Sequence, residues 1–386
     1  MQKATRCCGS VLLAALLLVL AACHAAAQAP LGSYLGCFDP NRLIMRAEDQ
    51  KRLLLQVWNL TQATLPQCRA TCSKWFYPLA IIGTHFSCRC SWSVPDNARR
   101  LPDSRCQPGS NGMAVFYMNQ LANSTSCRIA EVPMRPDAWN IAYGDQNVVW
   151  EPREGGVMRF NLAGTQGARL IPKDGDHLYG TFEIRAQTTC APGAVTAFYT
   201  RSSDIYPNEA AGDFSEIDWE WLNANPAKEQ CSLWLNAQQG GKGMGERLIG
   251  PAEYQKLMGW PRSRLTNNSW ATYSINWQPG FVTFALDGRR VRTMQNGEKR
   301  TWTTMGGNTL SRAFVSPDKP SHATISLWTD DRWDRPESQR FGGILDTTGG
   351  PYPSRFKNMR RVLCDVPLPA GDAALTAAVR GPAWLY

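Results

Sequence analysis

From Trp139 onward, short runs rich in β-branched and aromatic residues alternate with segments rich in glycine, proline, asparagine and aspartate. The runs recur at roughly even intervals, which is typical of strands joined by turns. This spacing predicts an all-β antiparallel sandwich rather than alternating strands and helices. The predicted strands lie in NVVWEPREGGVMRFNLAG, YGTFEIRAQ, GAVTAFYTRSS, SEIDWEWL, CSLWLNAQ, TYSINWQPGFVTFALDGRRVRT and HATISLWTD.

Two turns and one helical segment interrupt this pattern. Gln278-Pro279-Gly280 is predicted to join two strands, and Asp287-Gly288 to begin the next turn. Proline, glycine and aspartate favour the backbone conformations that tight turns require. A few helical turns are predicted at AEYQKLMG.

One predicted strand, SEIDWEWL, carries a carboxylate at every second position. Side chains at i, i+2 and i+4 of a strand share a face, so Glu216, Asp218 and Glu220 should lie together. The two glutamates are about 13 Å apart at Cα, and their side chains can lean inward over the aspartate to about 5–6 Å. The opposite face is expected to be packed by the apolar residues Ile217, Trp219 and Trp221.

Three carboxylates this close cannot all stay ionised at neutral pH, so one of them should retain a proton. A protonated carboxyl group about 5–5.5 Å from an ionised one is the arrangement of acid and nucleophile in retaining glycosidases. A solvated strand face and a calcium site are the alternatives that the motif by itself leaves open.

Residues 1–27 have the layout of an export signal. Lys3 and Arg6 precede the apolar run VLLAALLLVLAA, which gives way to small residues near Ala25–Ala27. The run is too short to span a bilayer, so we expect a cleaved secretory signal and no membrane insertion. An alternative interpretation is a bacterial lipoprotein signal, in which LAAC would leave Cys23 as a lipid anchor.

The chain has 13 cysteines, of which Cys7, Cys8 and Cys23 lie in the signal. The remaining ten are an even number in an exported chain, which predicts disulfides. Six of them crowd together near the N-terminus, and their C-x3-C and C-x-C spacings differ from the paired C-x2-C of zinc sites. The predicted organisation is a signal peptide (1–27), a small disulfide-rich N-terminal domain (31–118), a polar linker (119–138), a larger domain (139–366) and a C-terminal tail (367–386).

The formal net charge of +9 falls to +7 without the two cations of the signal. The surplus is dispersed arginine rather than a basic run, which predicts a basic surface but no nucleic-acid site. His85, His177 and His322 are scattered, without an H-E-x-x-H or G-x-S-x-G motif, and no phosphate-binding glycine motif occurs. We therefore expect neither a metal or serine mechanism nor a cofactor.

The small domain resembles a WSC domain, an extracellular module associated with carbohydrate binding. The matching segments are SYLGCFD, LPQCRATC, FSCRCSW and CQPGSNGMAVFYM. One departure is that Asn111-Gly112 stands where a Cys-Gly is expected, so a further cysteine pair is missing. The resemblance implies a polysaccharide-binding domain, and the alternative is a disulfide-stabilised spacer without a ligand.

The segments around the carboxylate strand resemble glycoside hydrolase family 16. SEIDWEWL is similar to the active-site motif E-[ILV]-D-x-(x)-E, and ATYSINWQPGFVTFALDG to a strand pair of bacterial lichenases. GGKGMGER and SLWTDDRW are similar to segments of xyloglucan endotransglycosylase/hydrolases. The single residue between Asp218 and Glu220 is the short form of the motif, as in lichenases, xyloglucan-active enzymes and fungal chitin–glucan crosslinkers. The resemblance covers about residues 139–365 and implies a concanavalin-like β-jelly-roll sandwich.

The resemblance also implies a role for each residue of the motif. Glu216 would be the nucleophile, Asp218 an assisting residue and Glu220 the acid/base. Two amides on the next strand would hydrogen-bond sugar hydroxyls, and a tryptophan in SLWTD would stack on a sugar ring unless it is a core residue. These substrate-binding candidates are Gln230, Asn236 and Trp328.

The sequence therefore predicts a secreted, cell-wall-directed, retaining endo-acting glycoside hydrolase or transglycosylase. Its expected partner is a β-glucan-type polysaccharide such as β-1,3-1,4-glucan or xyloglucan, and a monomer is expected. The alternative is a non-catalytic polysaccharide-binding cell-wall protein. Water and a sugar hydroxyl are both possible acceptors, so the sequence leaves hydrolysis and transglycosylation open.

Overall fold

The structure is a computed structural model that describes a little more than half of the small N-terminal domain (31–118) and most of the larger domain. The described residues are 33–39, 65–83, 88–92, 94–95, 97, 100–106, 112–118, 127–152, 156–163, 165–202, 214–225, 230–258, 269–304, 307–330 and 341–364. The predicted signal peptide and C-terminal tail lie outside these ranges. Among the described helices, none has the length and apolar character needed to cross a bilayer.

The small N-terminal domain is a disulfide-linked antiparallel sheet with one helix packed on it. Its described elements are β1 (Ser33–Phe38), α1 (Leu65–Lys74), β2 (Leu79–Ile82), β3 (Cys88–Ser91), β4 (Arg100–Leu101) and β5 (Met113–Tyr117). The strands are ordered β3-β2-β5-β1-β4. Two disulfides tie α1 to β3 and a third closes the domain: Cys68–Cys88, Cys72–Cys90 and Cys37–Cys106.

The larger domain is built from antiparallel strands with one described α-helix and two short 3-10 helices, Pro136–Ala138 and Asp145–Asn147. Its elements are β6 (Cys127–Val132), β7 (Trp139–Tyr143), β8 (Val148–Glu151), β9 (Val157–Leu162), β10 (Ala168–Pro172), β11 (Gly180–Gln187), β12 (Ala194–Ser202), β13 (Glu216–Asn225), β14 (Gln230–Gln239), β15 (Lys242–Gly243), β16 (Arg247–Ile249), α2 (Pro251–Met258), β17 (Ala271–Gln278), β18 (Phe281–Leu286), β19 (Arg289–Gln295), β20 (Lys299–Thr303), β21 (Thr309–Ala313), β22 (Ser321–Thr329) and β23 (Tyr352–Cys364).

These strands form two sheets packed face to face, each with eight described strands. The front sheet has the order β15-β14-β13-β12-β22-β10-β7, with β16 paired to β14. The back sheet has the order β19-β18-β17-β11-β23-β9-β8, with β6 paired to β23, while β20 and β21 form a separate hairpin. This jelly-roll sandwich confirms the all-β prediction, and every strand segment predicted from the sequence contains at least one strand.

An aromatic core between the two sheets determines which way β13 faces. The inward side chains of β13 are fully buried, and Trp219 meets Tyr273 and Phe284 of the back sheet with ring centroids 5.4 Å away in both cases. Trp221 meets the same tyrosine edge-on at 4.2 Å. The Trp219 indole N–H also donates to the backbone carbonyl of Ser274 at 3.2 Å, so the ring is satisfied as well as packed.

Both predicted turns and the predicted helix are present. β17 ends at Gln278 and β18 begins at Phe281, so Pro279-Gly280 forms the connection. Asp287 and Gly288 both have positive φ, 44° and 73°, as a two-residue turn between twisted antiparallel strands requires. The AEYQKLMG segment lies in α2.

The predicted linker, 119–138, is wrong over its second half, whereas residues 119–126 lie outside the described ranges. Residues 127–132 form β6, which pairs with β23 along its whole length, from Cys127↔Cys364 to Val132↔Met359. The Cys127–Cys364 disulfide joins the two strands at one end. The prolines and polar residues nearby suggested a linker, but Ile129 and Val132 are buried and give the segment a strand's apolar face. A second disulfide in this domain, Cys190–Cys231, completes the pairing of all ten predicted cysteines.

The small domain packs on the outer face of the back sheet. The Gln278 amide donates to the Tyr117 hydroxyl at 2.7 Å, and the Asn276 amide donates to the Phe76 carbonyl at 3.3 Å. An apolar cluster spans the junction and includes Val115, Tyr117, Ile129 and Val362. The small domain therefore lies on the opposite side of the sandwich from the carboxylates of β13, whose inward neighbours point toward the back sheet.

A buried carboxyl group lies at this junction. Glu183 on β11 is 2% exposed and accepts the Val94 backbone N–H at 3.2 Å and the Ser274 hydroxyl at 3.3 Å. Arg360 lies 3.7 Å from the carboxyl group and donates to the Val94 carbonyl at 2.7 Å. Burial raises the pKa of Glu183 to about 7, against the opposing effect of Arg360 and the two hydrogen bonds.

This pKa predicts that the junction weakens as the pH rises. The folded protein holds the Glu183 proton up to a pH of about 7, whereas the unfolded chain releases it near 4.5. The associated stability is present below the unfolded pKa and is lost as the pH rises toward the folded one, by about 3 kcal/mol in total. The free energy of unfolding, measured with urea, should therefore change less between pH 5 and pH 8 for Glu183→Gln than for the unmodified protein. Asp137→Asn, at an exposed ion pair with Arg135, serves as control, and equal pH dependence in all three proteins would contradict the prediction.

Candidate active site

The three carboxylates of β13 lie on the outer face of the front sheet, as the sequence predicts. Ile217, Trp219 and Trp221 are buried between the two sheets. Because side chains alternate along a strand, the three carboxylates must point outward. The register places polar and aromatic side chains of the flanking strands beside them. The cross-strand pairs are Glu216↔Gln238, Asp218↔Asn236 and Glu220↔Trp234 toward β14, and Glu216↔Arg201, Asp218↔Tyr199 and Glu220↔Ala197 toward β12.

These side chains form one cleft. The cavity above the carboxylates has a volume of about 420 Å³. It combines carboxyl groups, amides and aromatic rings, which is the composition expected of a ligand-binding cleft. The lining residues are Glu216, Asp218, Glu220, Trp234, Asn236, Gln238, Glu246, Thr304, Trp328 and Phe341.

Glu216 is paired with a cation. The Arg201 guanidinium donates from Nη1 to Glu216 Oε2 at 2.7 Å, and both side chains are largely buried, at 15% and 13% exposed. The guanidinium also lies over the Phe214 ring, 4.1 Å from its centroid. A planar cation held between a ring and a carboxylate favours the ionised form of that carboxylate. Glu216 is therefore the anion of the three.

Asp218, between the two glutamates, favours its protonated form. It is 5% exposed, and burial raises its pKa well above the usual value, with further contributions from the negative charges of Glu216 and Glu220. The Asp218 carboxyl group shares a hydrogen bond with Glu216. Since Glu216 is ionised, the protonated Asp218 is the donor in that bond.

Glu220 also retains a proton near neutral pH. Burial raises its pKa to about 8, and the charges of Glu216 and Glu246 contribute in that order. The strand thus presents an anion at one end and a neutral acid at the other. Arg201 and a protonated Asp218 suit a calcium site poorly, because both oppose a divalent cation.

Aromatic side chains form the wall of the cleft beyond Glu220. Phe341 meets Trp234 edge-on at 5.5 Å and stacks on Trp328 at 5.7 Å with an interplanar angle of 2°. Trp328 is partly exposed and lines the cleft. Such rings bind the apolar faces of sugars.

The structure brings most of the predicted site residues together. Asn236 and Trp328 line the cleft with the three carboxylates, and the side chain of Gln230 lies outside the described residues. Arg201 and Glu246 were missed from the sequence, as were the aromatic partners Trp234 and Phe341. Alternation on SEIDWEWL is visible locally, but strand register is needed to place these residues beside it.

Comparison with known proteins identifies relatives of the larger domain. The family model described as "Glycosyl hydrolases family 16" matches residues 136–341, more than half of the chain. Probable glycosidase CRR1 of Saccharomyces cerevisiae is 28% identical over 159 residues, 41% of this chain and 31% of that protein. A β-glucanase of Acetivibrio thermocellus is 27% identical over 157 residues, 38% of this chain and 41% of that protein. The chain thus spans less than half the length of these two relatives.

A solved structure of a Bacillus licheniformis β-glucanase also resembles this chain. It aligns with a TM-score of 0.43 and 18% identity, over 61% of this chain and 97% of that one.

The electrostatic arrangement predicts that the carboxyl groups titrate together. Glu216→Gln removes the largest charge contribution to Glu220, so the pKa of Glu220 should fall below about 8. Glu246→Gln should lower the same pKa by less, because Glu246 contributes less to it. Carboxyl-selective NMR titration of protein labelled at glutamate measures both shifts. Glu253→Gln, which removes the partner of Arg247 outside the cleft, is the control. A Glu220 pKa equal in all variants would refute the coupling.

Proposed function

The chain belongs to glycosyl hydrolases family 16, and on that premise we propose that it is a retaining endo-acting glycoside hydrolase or transglycosylase. Its proposed substrate is a β-glucan-type cell-wall polysaccharide, such as β-1,3-1,4-glucan or xyloglucan. The observation that carries this proposal is the asymmetry of the carboxylate strand. Glu216 is ionised beside Arg201, while Glu220 holds a proton with a pKa of about 8.

The first chemical step uses both ends of the strand. The Glu216 carboxylate attacks the anomeric carbon, and the glycosidic bond breaks as Glu220 gives its proton to the leaving oxygen. The product is a glycosyl ester of Glu216 with Glu220 now ionised. Asp218 donates a hydrogen bond to Glu216 throughout, which steadies the carboxylate before attack and when it leaves.

The second step restores the enzyme. Glu220 accepts a proton from water or from a sugar hydroxyl, whose oxygen attacks the anomeric carbon and releases Glu216. Water gives hydrolysis, and a sugar hydroxyl gives transfer. The stacked rings of Trp328 and Phe341 support an acceptor sugar, and an aromatic wall that holds it in place of water favours transfer. Asn236 is proposed to hydrogen-bond a sugar hydroxyl.

The small domain is proposed to hold the enzyme on the wall polysaccharide. It packs on the back sheet through Tyr117 and Gln278, on the side away from the cleft. A polysaccharide bound there would not extend into the cleft, so the domain would raise local substrate concentration rather than add subsites. Export, a cell-wall location and a monomeric state belong to the same proposal.

Replacement of the two glutamates tests the proposed mechanism. Glu216→Ala and Glu220→Ala should each lower kcat on β-1,3-1,4-glucan or xyloglucan by about 10²–10⁴-fold or more, because each removes one reacting group. Incubation with these glucans, laminarin and chitin oligomers, followed by product sizing, reports activity, linkage preference and transfer together. Glu253→Gln is the matched control outside the cleft. Binding of glucan without any new product from the unmodified protein would instead favour a non-catalytic polysaccharide-binding protein.

Arg201 gives a second, independent prediction. Without its cation, Glu216 takes up a proton more readily, so the acidic limb of kcat/KM should move to higher pH in Arg201→Met. Arg201→Lys retains the charge and should stay close to the unmodified profile. An unchanged acidic limb in Arg201→Met, at whatever activity remains, would show that Arg201 does not control the ionisation of Glu216.

A further inference from the structure

We propose that Asn236, Glu246 and Trp302 form a binding pocket at the edge of the cleft, here named the edge pocket, for a hydroxyl or hydroxymethyl group of a neutral sugar. This proposal rests on the proposed function, since the sugar concerned belongs to the same polysaccharide. It assigns a substrate class to residues that the two-carboxylate reaction does not use.

The edge pocket is open because Gly243 has no side chain. A Cβ at this position would lie 3.3 Å from Glu246 Oε1, 3.8 Å from Asn236 Oδ1 and 3.9 Å from Trp302 Cζ2. The φ of Gly243 lies outside the left-handed region, so its backbone is open to other residues. A Cβ here would therefore crowd Glu246 Oε1 and touch the other two side chains without straining the backbone, and the three side chains converge on that space.

Two of the three side chains carry buried polar atoms without a partner. Asn236 is 7% exposed and Trp302 is 8% exposed. Neither Asn236 Oδ1 nor Trp302 Nε1 has a hydrogen-bond partner in the described part of the chain. Buried polar groups are rarely left unpaired in folded proteins, and a ligand that enters the pocket would satisfy both.

Glu246 completes the edge pocket with a carboxyl group. It lines the cleft, and burial raises its pKa above the usual value. The Trp302 indole N–H faces this carboxyl group and favours its ionised form, although the pair does not have the geometry of a full hydrogen bond. No lysine or arginine within the described ranges forms an ion pair with Glu246.

The donors and acceptors of the edge pocket select a neutral hydroxyl. Asn236 Oδ1 and the Glu246 carboxylate accept hydrogen bonds, whereas Trp302 Nε1 can only donate one. A hydroxyl group both donates and accepts, so it can satisfy this mixture. An ammonium group could not accept from Trp302, and a carboxylate or sulfate would be repelled by Glu246. The space above Gly243 is within 4 Å of all three side chains, which suits one hydroxyl or hydroxymethyl group better than a planar acetamido group.

The edge pocket lies next to the reacting centre. Asn236 is the direct cross-strand partner of Asp218, and neighbouring strands are about 4.8 Å apart. That distance is comparable to the length of one sugar unit, so the sugar held in the edge pocket is at or adjacent to the one attacked by Glu216. Trp302 is supplied by the β20–β21 hairpin, outside both sheets of the sandwich.

Filling the pocket tests the inference. Gly243→Ala should block the space while every polar group remains, and Gly250→Ala is the matched control because nothing lies within 4 Å of its Cβ. Both changes are made in the Glu216→Ala background, so that binding is measured without turnover. Isothermal titration with mixed-linkage β-gluco-oligosaccharides should give a Kd about tenfold higher for Gly243→Ala than for Gly250→Ala. Trp302→Phe removes the indole N–H without filling the space and should also weaken binding.

The outcomes separate this inference from the proposed function. If the two alanine variants bind β-gluco-oligosaccharides equally and Trp302→Phe does not weaken binding, the edge pocket is overturned. Turnover by the unmodified protein would still support the proposed function. Absence of both binding by the control and turnover by the unmodified protein overturns the proposed substrate, and the edge pocket with it. If Gly243→Ala weakens the binding of chitin oligosaccharides but not that of β-gluco-oligosaccharides, the pocket binds an acetamido group and the hydroxyl assignment is wrong.

Discussion

The burial of Ile217, Trp219 and Trp221 between the sheets is the constraint on which the site depends. These side chains pack against Tyr273 and Phe284 of the back sheet, and a strand cannot turn one residue outward without turning its neighbours inward. The packing therefore holds three carboxyl groups on one outer face, although their mutual repulsion opposes that arrangement. The core supplies the free energy that keeps these three carboxyl groups together.

The protein resolves this repulsion unequally at the two ends of β13. The motif E-x-D-x-E reads almost the same in both directions about Asp218, so the strand alone does not distinguish its two glutamates. Arg201, held over Phe214, stabilises the charge of Glu216, whereas Glu246 adds a negative charge near Glu220. Arg201 on β12 and Glu246 after β15 thus make the two ends of a symmetric motif different. Glu216 is the ionised end and Glu220 the protonated end.

The two domains are joined at the back sheet. β6 follows the small domain and pairs with β23, and the Cys127–Cys364 disulfide joins these strands. Glu183 lies under the Val94 backbone at the same junction, so it belongs to the contact between the domains and not to the cleft. The small domain packs on the back sheet, whereas the cleft lies on the outer face of the front sheet.

The sequence by itself determined the all-β architecture, the ten half-cystines and the face shared by Glu216, Asp218 and Glu220. Strand period, turn residues and cysteine counts are local properties, so a single chain displays them directly. The tertiary structure alone decided that β6 belongs to the sheet, that Arg201 lies beside Glu216, and that Glu246 and Trp302 meet over Gly243. These pairings join segments far apart in the chain. They depend on strand register and on the placement of the β20–β21 hairpin, which packing of the whole core fixes and no local pattern records.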